Sequence, residues 1–119
     1  MDKKRILVID DEPYIPRILE YHFKKEENWI GVSVPDKNTA LKKLKEGKFD
    51  LVILDMKLPA LKSGLDTFHQ IRENYKEIPI MILSVAADKP PVIDLDANAF
   101  ILKPFEFKKL HAKIKELLK

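Results

Sequence analysis

Cysteine is absent from the 119-residue chain. Disulfides and thiolate chemistry are therefore excluded, and a reducing compartment is permitted but not required. Glycine is scarce: Gly31, Gly47 and Gly64 are the only three, and they form neither GxGxxG nor GxxxxGKS/T. A nucleotide-binding module built on a glycine-rich phosphate loop is thus disfavoured. No apolar stretch approaches membrane-spanning length, and the four-residue run in MDKKRILVID is too short for a signal peptide. A cytoplasmic location without membrane contact is expected. An excess of one charge is missing too, because 22 Lys and Arg against 19 Asp and Glu leave only +3. That balance gives no electrostatic case for direct nucleic-acid binding. Low-complexity segments, repeats and linkers are also lacking, so residues 1–119 read as a single domain.

What the chain does contain is alternation. Ile6–Ile9 (ILVI) reads as a buried strand, after which Ile15, Ile18, Leu19 and Phe23 recur at helical spacing. Trp29–Val34 alternates as a strand, with Ile30, Val32 and Val34 on one face. Asp36 is placed to cap a helix carrying Ala40, Leu41 and Leu44, which stops at Gly47. Leu51–Leu54 and Ile78–Leu83 are further apolar strands, separated by a helical face of Leu65, Phe68, Ile71 and Tyr75. Ala99–Leu102 is the last strand, and Phe107, Leu110, Ile114 and Leu117 mark the last helix. Strands alternating with helices imply parallel βαβ units. The fold class expected is α/β, a doubly wound five-stranded parallel sheet of flavodoxin-like order 2-1-3-4-5.

In such a sheet, function gathers beyond the carboxyl ends of the strands. Strand one ends at Asp10-Asp11, strand three at Asp55, strand four at Ser84 and strand five at Lys103. Strands one and three are neighbours in this order, about 4.8 Å apart, which brings the acidic pair beside Asp55. Strand five lies two strands from strand three, roughly 10 Å away, a gap that a lysine side chain can close. Three aspartates, a hydroxyl and an ammonium are expected around one point. Clustered acids of this kind suit a divalent cation; a solvated, acid-rich helix N-terminus is the rival explanation, strongest for Glu12. Without a cation, Asp10, Asp11 and Asp55 are expected to repel one another with only Lys103 to offset them, so that Asp11→Asn stabilises the metal-free fold.

IDDEP, LVILDMKLP, the hydroxyl of ILSVA and AFILKPF together resemble the receiver domain of two-component response regulators, in order and over essentially the whole chain. The resemblance implies that Asp55 accepts a phosphoryl group from a sensor histidine kinase or a histidine phosphotransfer protein. It implies Mg2+, with Mn2+ as the alternative, bound directly by Asp11 and Asp55, by the backbone carbonyl of Lys57, and by Asp10 through water. Lys103 is implied to pair with Asp55 and then with a phosphoryl oxygen. Ser84 is implied to hydrogen-bond another oxygen, and Phe100 to be the aromatic that turns inward behind that hydroxyl. The Lys103–Pro104 bond is expected to be cis. Such a chain is no enzyme in the ordinary sense, since it catalyses only its own phosphorylation and dephosphorylation, and it switches binding to a downstream protein of unknown identity.

Several features depart from the family. The loop MKLPALKSG is one residue longer before Gly64 than the family's usual spacing. Val85 follows Ser84 where a smaller residue is usual, and is expected to restrict access to the phosphoryl pocket. ADKPPVIDLDANA is short and carries Pro90-Pro91, so the fourth helix is expected to be shortened or missing. Many receivers dimerise through that helix with strand five and helix five, and this chain is therefore expected to be a monomer. The chain stops after the last helix, which gives no output domain within it. Two rival functions stand beside this one. An aspartate-nucleophile phosphatase would carry a second Asp where Lys57 stands, and a receiver-like interaction module would never be phosphorylated. His22, His69 and His111 stand alone on helical patterns and are assigned no chemistry. The lysine-rich FKKLHAKIKELLK is read as a solvated helix face.

Overall fold

The apolar run near the amino terminus forms an inner strand of the sheet, in a computed structural model that describes residues 3–11, 20–21, 25, 28–57 and 61–119. Strand β1 (Lys4–Ile9) has β2 (Trp29–Val34) on one side and β3 (Leu51–Met56) on the other. β4 (Ile80–Ser84) follows β3, and β5 (Ala99–Leu102) closes the far edge. All pairings are parallel and the order is β2-β1-β3-β4-β5, the flavodoxin-like order expected from the sequence. Because parallel strands are covered on both faces, successive residues of one strand serve two cores. Leu7, Ile9, Val52, Leu54, Ile80 and Ile82 join one apolar cluster, while Ile6, Val8, Leu51, Ile53, Met81 and Leu83 join the other.

Helix α1 (Lys37–Glu46) begins at Asp36, whose Oδ1 accepts the backbone N–H of Thr39 at 2.8 Å. It ends at Gly47, whose N–H donates to the carbonyl of Lys43, and it buries Ala40 and Leu44. Helix α2 (Leu61–Asn74) buries Thr67, Phe68 and Ile71 on the first core. Helix α3 (Phe107–Leu117) buries Leu110 and Ile114 on the second. No described helix is long and apolar enough to cross a membrane. The helix expected from Ile15, Ile18, Leu19 and Phe23 lies outside the described residues, as do Glu12, His22 and residues 58–60 of the loop after β3.

Four strand boundaries differ from the sequence reading, each for a physical reason. β1 starts at Lys4 rather than Ile6, because Lys4 and Arg5 pair in register with Trp29 and Ile30. β3 and β4 run on through Asp55-Met56 and Ser84, because those residues still pair in register, Asp55 with Leu83 and Met56 with Ser84. β4 starts at Ile80 rather than Ile78, since Pro79 has no N–H for the ladder. Along edge strand β2, burial fades from Val34 to the exposed Ile30, which extends past the first core.

Between β4 and β5 the chain makes turns and no helix. Pro90 and Pro91 remove two consecutive donors there, and the bond between them is cis, as is Lys103–Pro104. The segment is nevertheless anchored. Val92 is fully buried, and the Arg72 guanidinium donates to the carbonyls of Ile78 and Asp96 and to Asn98 Oδ1. Asn98 Oδ1 also accepts the N–H of Ile80, so the return into β5 is tied to the start of β4.

Candidate functional site

Strand order and register bring the carboxyl ends of β1, β3, β4 and β5 to one end of the sheet. Asp10 follows β1 with its side chain fully buried, and its N–H donates to the carbonyl of Val34. Asp55, still within β3, has a side chain only 1% exposed. Lys103 follows β5 and spans the distance to β3, placing Nζ 2.5 Å from Asp55 Oδ2. Its backbone N–H donates to the carbonyl of Ser84 at 2.9 Å, which fixes the start of the turn that aims the side chain. Asp11 lies one residue further out, with a side chain 70% exposed. A cavity of about 220 Å³ runs beside these groups, lined among others by Asp10, Asp11, Asp55, Lys57, Gly64 and Thr67.

Lys57 belongs to the site in a way the sequence did not disclose. Its Nζ lies 2.6 Å from Asp10 Oδ1 and 2.9 Å from Asp11 Oδ1, an ammonium bridging both acids of the pair. The expectation that Lys103 alone offsets the three aspartates is thereby corrected. The correction extends to Asp11: its bond to Lys57 holds its pKa below the ordinary carboxylate value, against a weaker effect of burial. Burial disfavours the charged Lys57, but its bonds to Asp10 and Asp11 outweigh that and raise its pKa. Asp55 behaves oppositely to Asp11. Burial pushes its carboxyl up to about 6, with Lys103 pulling against burial and the nearby Asp10 adding to the rise. A signal for Lys57 was present in the strand period, since residues 55 and 57 point to the same side of an extended chain.

Ser84 is fully buried and its Oγ accepts the N–H of Ala86 at 3.0 Å, a turn that occupies one lone pair of the hydroxyl. Phe100 is half-buried against the first core, opposite Ile82 in the ladder. Val85, directly after Ser84, is 50% exposed. Gly64 had no assigned role beyond spacing. A Cβ there would come within 2.7 Å of Met56 Cγ, so its bare backbone lets α2 approach the end of β3. Lys37 and Asp66 pair at 2.8 Å from the start of α1 to α2. His69 sits edge-on to Phe68, and His111 packs on Trp29 at 5.1 Å between ring centres.

Among the described residues no three His, Cys, Asp or Glu groups converge as a ready-made metal cage. Magnesium does not require one, because it is commonly held by one or two carboxylates, waters and a phosphate. The donor set fits that habit: Asp55 Oδ1 is buried and accepts no hydrogen bond within the described residues, Asp10 lies close enough to raise the Asp55 pKa, and Asp11 lines the same cavity.

Residues 6–115 match the family model of the response regulator receiver domain. The chain belongs to that family. This receiver domain is 33% identical over 119 residues to the alkaline phosphatase synthesis transcriptional regulatory protein PhoP of Bacillus subtilis, covering 98% of the chain and 49% of PhoP. It spans about half the length of the curated relatives it matches. Among solved structures it resembles the response regulator TrrA of Thermotoga maritima in complex with Mg2+-BeF, at 36% identity and a TM-score of 0.81, over 97% of this chain and 99% of that one. TrrA in complex with the histidine kinase ThkA superposes with a TM-score of 0.82 over 98% of this chain and 99% of that one.

Proposed function

We propose that Asp55 is the phosphoacceptor of this receiver domain and that the receiver is loaded from a phosphohistidine on a sensor kinase or a phosphotransfer protein. The observation that carries the reading is the Asp55–Lys103 pair, a buried carboxylate with one oxygen on an ammonium and the other without a hydrogen bond among the described residues. A carboxylate oxygen of Asp55 forms the new O–P bond while the bond from phosphorus to the donor nitrogen or oxygen breaks. The leaving group departs with that electron pair. The protein's part is positioning and charge neutralisation, which is most of what phosphoryl transfer asks. Lys103 then turns from the carboxylate to a phosphoryl oxygen. Ser84 donates its hydroxyl proton to another phosphoryl oxygen, which its bond from the Ala86 N–H leaves open, and Phe100 follows into the space behind it.

Asp11, Asp55 and the Lys57 carbonyl would hold Mg2+ directly and Asp10 through water. When bound, the ion neutralises charge shared by the carboxylates and the incoming phosphoryl oxygens. Mn2+ offers the same oxygen preference. The complex of TrrA with a histidine kinase supports a kinase as donor, and its complex with Mg2+-BeF supports the ion. The receiver acts only on its own phosphoryl group and transmits the change by altered protein binding, as a cytoplasmic module. Incubation with a small acyl-phosphate donor tests this. Labelling should require Mg2+, stop on chelation and be strongly impaired in Lys103→Ala. Labelling that persists in chelator would contradict the proposed role of the acids.

A further inference from the structure

We infer that Lys57 is a tethered cation that competes with Mg2+ for Asp10 and Asp11, so that this one side chain sets the receiver's metal affinity. The inference rests on the proposed function, because it takes those two acids to be the metal's own. Its basis is positional. The ammonium bridges Asp10 Oδ1 and Asp11 Oδ1 at 2.6 and 2.9 Å, and its side chain is only 22% exposed. It stands between the two groups that a divalent ion has to share.

Charge counting shows why both cations cannot stay. Asp10, Asp11 and Asp55 face Lys57 and Lys103, which leaves the pocket one negative charge in excess. Adding a divalent ion to all five groups turns that into one positive charge in excess, with an ammonium pressed against the metal. Releasing Lys57 as the ion enters brings the count to neutral. Metal binding is therefore an exchange of one cation for another, and the work of breaking the two ion pairs is subtracted from the metal's affinity. Lys57 has the means to leave: it follows the last residue of β3 and has a long flexible stem lining the cavity. Its backbone carbonyl can still face the ion while the side chain swings away. The same residue then serves the metal through one atom and opposes it through another.

The consequence is a raised threshold of free Mg2+ for loading, and with it a metal-free form whose acids are not left to repel each other. Calorimetric titration with MgCl2, at fixed pH and low ionic strength and without any phosphodonor, tests this directly. Lys57→Met keeps the stem and removes the charge. Its Kd for Mg2+ should fall about tenfold, the order expected when one adjacent like charge is removed from a partly exposed site. Lys57→Arg keeps the charge and should stay near the wild-type value, which a purely steric role for the side chain would not produce. Lys57→Gln serves the same purpose as the methionine variant should that one fold poorly. In thermal melts the neutral variants should be less stable than wild type without metal and gain more from its addition. Equal or weaker Mg2+ binding by both neutral variants, alongside measurable wild-type binding, overturns the inference. Absence of Mg2+ binding in all four proteins overturns the metal site itself, and thus the reading beneath it.

Discussion

Asp55 and Asp11 lie at the ends of neighbouring strands and have pKa values shifted in opposite directions, and that difference decides what each contributes to the metal-free fold. Burial raises the Asp55 carboxyl to about 6, so its contribution to stability is fully present below the unfolded value near 3.8 and is lost as pH rises through 6. In metal-free buffer, the stability of Asp55→Asn relative to wild type should therefore increase from pH 4 to pH 7, by on the order of 2–3 kcal/mol. Denaturant melts across that range check it, and a flat difference would mean that Asp55 titrates as an ordinary carboxyl. Asp11, held down by Lys57, contributes above 3.8 and loses that contribution as pH falls. Because it is largely exposed, Asp11→Asn should change metal-free stability by less than about 1 kcal/mol at pH 7, with no gain. The same variant should lose the Mg2+-induced rise in Tm seen in wild type. Asp10, Asp55, Ser84 and Lys103 were legible because each ends an apolar run, and sheet order converts strand ends into neighbours. The Lys57 ammonium was legible only in part: strand period sets it on the side of Asp55, but which charges a long side chain meets beyond a strand depends on what the fold has already gathered.

At the scale of elements, the sequence and the structure agree wherever one residue type dictates local geometry. Asp36 caps α1, Gly47 follows its end, and Pro90-Pro91 leaves turns where a helix would otherwise stand. Close approaches were not legible, because they arise between elements distant in sequence. Gly64 is the clearest case: alanine favours a helix interior by about 1 kcal/mol over glycine, yet here its Cβ would strike Met56, which is itself buried. Gly64→Ala should accordingly destabilise the fold by about 1–2 kcal/mol in urea denaturation. A stabilised variant would show that Met56 yields without cost. The Arg72 bonds to Ile78, Asp96 and Asn98 are a second long-range device that periodicity could not reveal. They explain how a connection without a helix still delivers β5, and hence Lys103, in register.

For the molecule as a whole, the missing helix changes the surface available to a partner. Many receivers pair through that helix together with strand five and the last helix. Here the face beside β5 offers turns, with Val85, Ile93 and Leu102 exposed. A pairing surface that lacks one of its helices loses buried area and fixed side-chain positions. The beryllofluoride-bound protein should therefore remain monomeric at micromolar concentration in light scattering. A shift to dimers that is blocked by substitution of Leu102 would show that the turns make an equivalent surface.

Asp55 as the nucleophile is the claim on which the rest depends, and site-resolved mass spectrometry addresses it. With Mg2+ and a small acyl-phosphate donor, wild type should gain one phosphoryl group, mapped to the peptide containing Asp55, while Asp55→Ala gains none. A phosphoryl group on any other residue of the wild type, or undiminished labelling of Asp55→Ala, would contradict it.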